Sequence, residues 1–224
     1  MNRGGSMDKR IILLAKSRKM NNYCIAGICP LTGDWVRIIS NDSSIQYAVP
    51  ESKLLYPDGT VPQIYDIIKI KCRKHLPSKH QPENYLYDAS ITWEKIGEIQ
   101  NIGELLRIRP LEKDEQFLFF NGDKKISIEE YEQISSNRKK SLICIWPQNI
   151  TINVKTWDKK KITASFNYNG IRYCYLPITD PPIEKEYLQK PDGQYPIHNN
   201  CLFVVSLGDE YEGYYYKLIA SIIR

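Results

Sequence analysis

The chain has little of what catalytic and metal-binding proteins are usually built on. It carries three histidines, His75, His80 and His198, and no Cys-x-x-Cys pair. It also has no glycine-rich phosphate loop and no nucleophile elbow, so a zinc finger, a P-loop enzyme and a serine or cysteine hydrolase all lack their motif. A zinc set can be assembled from Cys72, His75 and His80 with Cys24 and Cys29, but the spacings match no finger. No metal or cofactor is expected. No apolar run reaches the roughly 18 to 20 residues that cross a bilayer, and Met1 to Ser6 lacks the apolar core of a signal peptide. Those residues read as an expression scar ahead of a natural start at Met7, and the expectation is a cytoplasmic protein with no membrane partner. Internal repeats of roughly 20 to 50 residues are missing too, which excludes solenoids and propellers.

What is present is ordinary globular composition. The chain is 224 residues long, 42% hydrophobic and 25% charged, enough to bury a core in one large β domain or two small ones. The net charge of +5 (31 Lys and Arg against 26 Asp and Glu) permits a polyanionic partner without demanding one. Sixteen tyrosines suit both a pleated sheet and a surface on which bases stack. Cys24, Cys72, Cys144, Cys174 and Cys201 fall inside apolar runs, where they read as reduced core thiols.

Alternation locates the strands. Arg10 to Ala15 and Tyr23 to Ile28 are apolar runs, separated by a basic stretch, Lys16 to Asn22, that reads as a loop. In Trp35 to Ser40, Val36 and Ile38 share one face and Trp35 and Arg37 the other. Tyr65 to Cys72 sets Ile68 and Ile70 against Lys69 and Lys71, a half-buried strand with a basic outer face. Short helices are expected at Asn101 to Ile108 and Ser127 to Ile134, each opened by a cap residue with Glu104 or Glu130 three positions on. The polar run Ser135 to Lys140 then reads as the seam between halves, giving domains 7–137 and 138–224.

The second half has the stronger signals. Leu142 to Trp146, Ile150 to Trp157 and Lys161 to Tyr168 read as strands, and Asn169-Gly170 before Ile171 to Leu176 supplies the two positive φ angles of a type I′ hairpin turn. Asp180 to Pro196, with four prolines, reads as a surface loop with one helical turn. Cys201 to Leu207 and Tyr214 to Ile223 form a terminal hairpin.

Ser17-Arg18-Lys19, Cys24-Ile25-Ala26-Gly27, Trp35-Val36-Arg37 with Ser40, His80-Gln81-Pro82-Glu83-Asn84-Tyr85, and Ser206-Leu207-Gly208 with Tyr216-Lys217-Leu218 together resemble the bacterial dual OB domain-containing family, over Lys9 to Ile223. Ile38 and Tyr85 stand where that pattern usually has Pro and Trp. The resemblance implies a mainly β fold of two small OB-like β-barrels packed together, with short helices between them and a ligand-binding role.

Two constellations are candidate sites. Arg18, Lys19, Trp35, Arg37 and Tyr85 either form a patch that holds phosphate and stacks bases, or are a core indole and a solvated basic loop. In His80 to Tyr85, Gln81 and Asn84 either read a base edge or ribose, oriented by His80 and Glu83, or satisfy backbone where two barrels join. The runs Lys139-Lys140 and Lys159-Lys160-Lys161 read as solvated turns, and Tyr211, Tyr214, Tyr215 and Tyr216 as cross-strand pairs. The functional expectation is a non-catalytic module for single-stranded DNA, RNA or a nucleotide. A protein-interaction adaptor in a bacterial defence or nucleic-acid-processing system is the alternative, and a nucleotide-processing enzyme using His80 and Glu83 the lesser one.

Overall fold

The computed structural model describes residues 6–108, 110–112, 115–198 and 200–224. The chain divides into two units, ending and beginning at Pro110 and Leu111. In the first, β1 (Met7–Lys19), β2 (Asn22–Ile28), β3 (Trp35–Ile39), β4 (Asp66–His75), β5 (Asn84–Tyr87) and β6 (Glu94–Glu98) precede one short helix, α1 (Ile102–Arg107). The long β1 serves two partners. Its first half pairs with β4, from Met7 opposite Cys72 to Ile12 opposite Ile67, and from Ile12 onward it pairs with β2, with a bulge between Leu13 and Ala15. From β2 the hydrogen bonding passes to β3, then in parallel to β5, and back through β4 to β1, so the sheet closes into a five-stranded barrel with β6 flanking β4.

The alternation read from sequence supplies its core: Ile11, Leu13, Ile25, Val36, Ile38, Ile68, Ile70 and Cys72 face inward, with Tyr56, Tyr87 and Trp93 completing the fill. Gly27 makes the β1–β2 contact possible, since a Cβ there would sit 2.1 Å from the backbone oxygen of Ile12. The basic stretch expected to loop is mostly strand. β1 runs on to Lys19 because Met20 and Asn21, both with positive φ, make the turn in two residues.

The second unit holds β7 (Lys125–Ser127), α2 (Ile128–Glu132), β8 (Leu142–Ile145), β9 (Gln148–Thr156), β10 (Lys160–Tyr168), β11 (Ile171–Pro177), α3 (Pro181–Leu188), β12 (Gly193–Pro196), β13 (Leu202–Tyr211) and β14 (Tyr214–Ile223). They form two four-stranded sheets, β11-β10-β9-β12 and β7-β14-β13-β8. β8 pairs with β13 and β9 with β12 in nearly one antiparallel alignment, Ile145 opposite Phe203 and Thr151 opposite Pro196. Each pair of short strands therefore acts as one long strand, broken near Trp146-Pro147. Counted so, the strand circuit of the first barrel recurs: a three-strand meander, a fourth strand returning to the first, here by way of α3, and a fifth that meets the third in parallel where Ile178 bridges Ile219. Both units are OB-like, and the fold is mainly β.

Three further expectations need correction. The seam falls at Pro110, ahead of the expected boundary at 137, because β7 pairs with β14 and Leu118, Phe119, Ile126 and Tyr131 are buried in the second core. The Pro-rich stretch is not a loop. Pro181 and Pro182 occupy the first helical positions of α3, where a missing N–H costs nothing, and Pro196 ends the edge strand β12. Cys174, read as a core thiol, is exposed, whereas Cys72, Cys144 and Cys201 are buried.

Among the described residues no helix is long and apolar enough to cross a membrane. The Asn169-Gly170 turn (φ 48° and 80°) and the Ser127–Glu130 capping box stand as read.

Candidate functional site

The residues singled out from sequence lie in the first unit. Arg18 and Lys19 end β1, with Arg18 opposite Tyr23. Trp35 opens β3 opposite Ile28, and Arg37 sits between Ala26 of β2 and Asn84 of β5. His80, Gln81 and Glu83 belong to the β4–β5 turn, where the Gln81 amide donates to Ser78 Oγ at 3.2 Å and Asn84 Nδ2 donates to Gln81 Oε1 at 3.2 Å. The Arg37 amide donates to the Glu83 carbonyl at 2.9 Å, tying the turn to β3.

The structure thus brings Arg37, Gln81, Glu83 and Asn84 together at the start of β3. Arg18 and Lys19 do not join them: Tyr23, the partner of Arg18, is three residues along β2 from Ala26, about 10 Å away. Arg37, Gln81 and Asn84 are 5%, 8% and 4% exposed, so they meet neighbouring protein atoms rather than solvent. Tyr85 packs on the barrel core, stacked on His75 at 4.5 Å with Lys9 Nζ 3.8 Å from its ring centre. The basic outer face of β4 is neutralised, Lys69 by Glu94, Lys71 by Asp8 and Arg73 by Asp88, at 3.1 to 3.2 Å.

A different surface is open and carries an excess of positive charge. In the second unit the side chains of β9 and β10 that do not enter the core share the outward face: Lys155 opposite Lys161, and Asn153 opposite Thr163. Gln194 of β12 continues the second row, being opposite Asn153 on the other side. These residues line a groove of about 680 Å³, joined by Lys124, Trp157, Tyr175 and Asp192. Trp157 and Tyr175 are 67% and 57% exposed, high values for large rings.

The groove is built by specific local devices. Ser165 faces both Cys174 and Tyr175 across a bulge between the Ala164–Leu176 and Phe166–Tyr173 pairs. The bulge turns Tyr175 outward at φ 59° and exposes Cys174. Ser165 Oγ accepts from the Tyr175 amide and from Asn153 Nδ2, each at 3.1 Å. The β9–β10 turn bearing Trp157 is anchored on both sides: Thr156 donates from its amide and hydroxyl to Asp192, at 2.8 and 2.7 Å, and Lys160 Nζ donates to the carbonyls of Leu188 and Lys190. Of the Lys159-Lys160-Lys161 run, then, Lys160 holds the end of α3, while Lys161 points into the groove with its Nζ 5.9 Å from the Trp157 ring centre.

Charge completes the description. Three lysines line the groove against a single carboxylate, Asp192. The bonds from Thr156, and behind them the positive charges of Lys155 and Lys160, hold Asp192 ionised below the usual carboxylate range. No ion pair to Lys124, Lys155 or Lys161 is present among the described residues. The sequence signal for this site was Trp157 followed at even spacing by a lysine run; which lysine turns to which side is set by β10 pairing with β9.

The dual OB-containing domain model matches residues 9–222, and the chain belongs to that family. No curated protein and no solved structure matches it. The OB fold is a general platform for oligonucleotides and oligosaccharides.

Proposed function

We propose that this member of the dual OB-containing domain family is a binding module for single-stranded nucleic acid, and that the groove of its second barrel is where the strand lies. The observation that carries this reading is the Lys155–Lys161 pair. Like charges directly opposite on neighbouring strands repel, and among the described residues no carboxylate forms an ion pair with either ammonium. A phosphate bound between them converts that repulsion into attraction. Trp157 and Tyr175 supply flat faces beside it, the combination of stacking ring and cation by which OB surfaces hold single strands without reading sequence. Electrostatics favours an anionic strand over a neutral oligosaccharide.

Titration of labelled single-stranded oligonucleotides at several salt concentrations tests the reading. Binding should weaken as salt rises, and Lys155→Ala with Lys161→Ala should flatten the log–log slope by about 0.7, the share of one neutralised phosphate on a single strand. Absence of binding at low salt, or an unchanged slope in the double variant, overturns it.

A further inference from the structure

Behind the lysines the groove floor carries a second row, Gln194–Asn153–Thr163, running across β12, β9 and β10. All three line the groove, and none is charged or apolar. Asn153 is buried, and its amide nitrogen is committed to Ser165 Oγ at 3.1 Å and the Thr151 carbonyl at 3.4 Å. Turning the amide over would set its oxygen against the Thr151 carbonyl, so the bonded orientation is the favourable one. What Asn153 then offers the groove is a fixed acceptor. Thr163 adds a hydroxyl and Gln194 an amide, each able to donate or accept.

The two rows lie two residues apart along β9, about 6.7 Å. A strand whose phosphate sits at Lys155 and Lys161 therefore lays its sugar over Asn153, Thr163 and Gln194, while its bases turn towards the rings. A deoxyribose has no hydroxyl to give a fixed acceptor; a ribose has its 2′-OH, which donates and accepts. A buried acceptor that meets only C–H loses its hydrogen bond to water without replacement, which penalises the deoxy ligand.

Resting on the groove reading above, we infer that the ligand is RNA, with Asn153 and its row as the sugar-reading element. The test compares an oligouridylate with the matching oligo-2′-deoxyuridylate, which differ only in that hydroxyl. The wild-type chain should prefer the ribose form roughly five- to tenfold, the yield of one net hydrogen bond. Thr163→Val and Asn153→Ala should bring the ratio towards one without altering the salt dependence. Thr163→Val leaves the Ser165–Tyr175 bond untouched, so it guards against a folding effect at Asn153. Lys155→Ala with Lys161→Ala should weaken both oligomers equally and keep the ratio. Equal affinity of the wild-type chain for the two oligomers overturns the RNA inference and leaves the groove reading standing. A lysine double variant that binds both as well as wild type overturns the groove reading itself.

Discussion

The backbone amide of Tyr175 donates to the hydroxyl oxygen of Ser165 at 3.1 Å, and this bond helps hold a bulky aromatic residue in the left-handed region, at φ 59°. Non-glycine residues in that region cost on the order of 1–3 kcal/mol and persist where surrounding structure enforces them. Here the enforcement comes from the bulge, and the result is an exposed ring on the wall of the groove.

Replacing Tyr175 with glycine separates strain from use. Glycine adopts the angle freely, at a chain-entropy cost of about 0.5–1 kcal/mol, and little burial is lost with a ring that is already more than half exposed. Tyr175→Gly should hold or raise Tm while oligonucleotide affinity falls by about 1–3 kcal/mol, the worth of one stacked base. Thermal melting and titration of one preparation check both halves. A clear drop in Tm would mean that the ring contributes to packing.

Lys217 gives a prediction about pH. It is fully buried, and its Nζ donates to the backbone oxygen and Oδ1 of Asn121, at 2.8 and 2.7 Å. Burial pulls the ammonium down to about 7 from its ordinary 10.5, against the opposing pull of Asp123 and Glu130. The folded protein thus binds fewer protons than the unfolded chain between those values. Stability from this group is complete above about 10.5 and is lost as pH falls through about 7. Urea unfolding of wild type should show stability rising across that window, and Lys217→Met should remove this contribution. The same slope in the variant would place its source elsewhere.

Gly27 gives a prediction about the first barrel. A methyl group there meets the Ile12 backbone 2.1 Å away, and backbone cannot swing aside as a side chain can. Gly27→Ala should force β1 and β2 apart and destabilise the chain by about 3 kcal/mol or more, at the upper end of overpacking. Chemical denaturation measures it, and a loss below about 1 kcal/mol would show that the strands can shift.

Much of the fold was legible because its causes are local. Val36 and Ile38 face the first core as period-two alternation requires, Asn169-Gly170 makes its turn from its own backbone preferences, and Ser127 with Glu130 closes a capping box within a single turn. The sites were less legible. Arg37 and Asn84 looked like ligand contacts because residue type says nothing of burial, and the parallel pairing of β3 with β5 that sets them side by side joins segments 47 residues apart.

By itself the sequence determined most of the longer strands, the Asn169-Gly170 turn and membership of a two-barrel family, since alternation, turn chemistry and motif order are properties of short stretches of chain. Tertiary structure alone decided the boundary at Pro110, the helix and edge strand within the Pro-rich stretch, the placement of Lys160 on α3 and Lys161 in the groove, and the outward turn of Tyr175. Each of these depends on which distant strand supplies the hydrogen-bonding partner. That pairing selects the face on which every second side chain emerges.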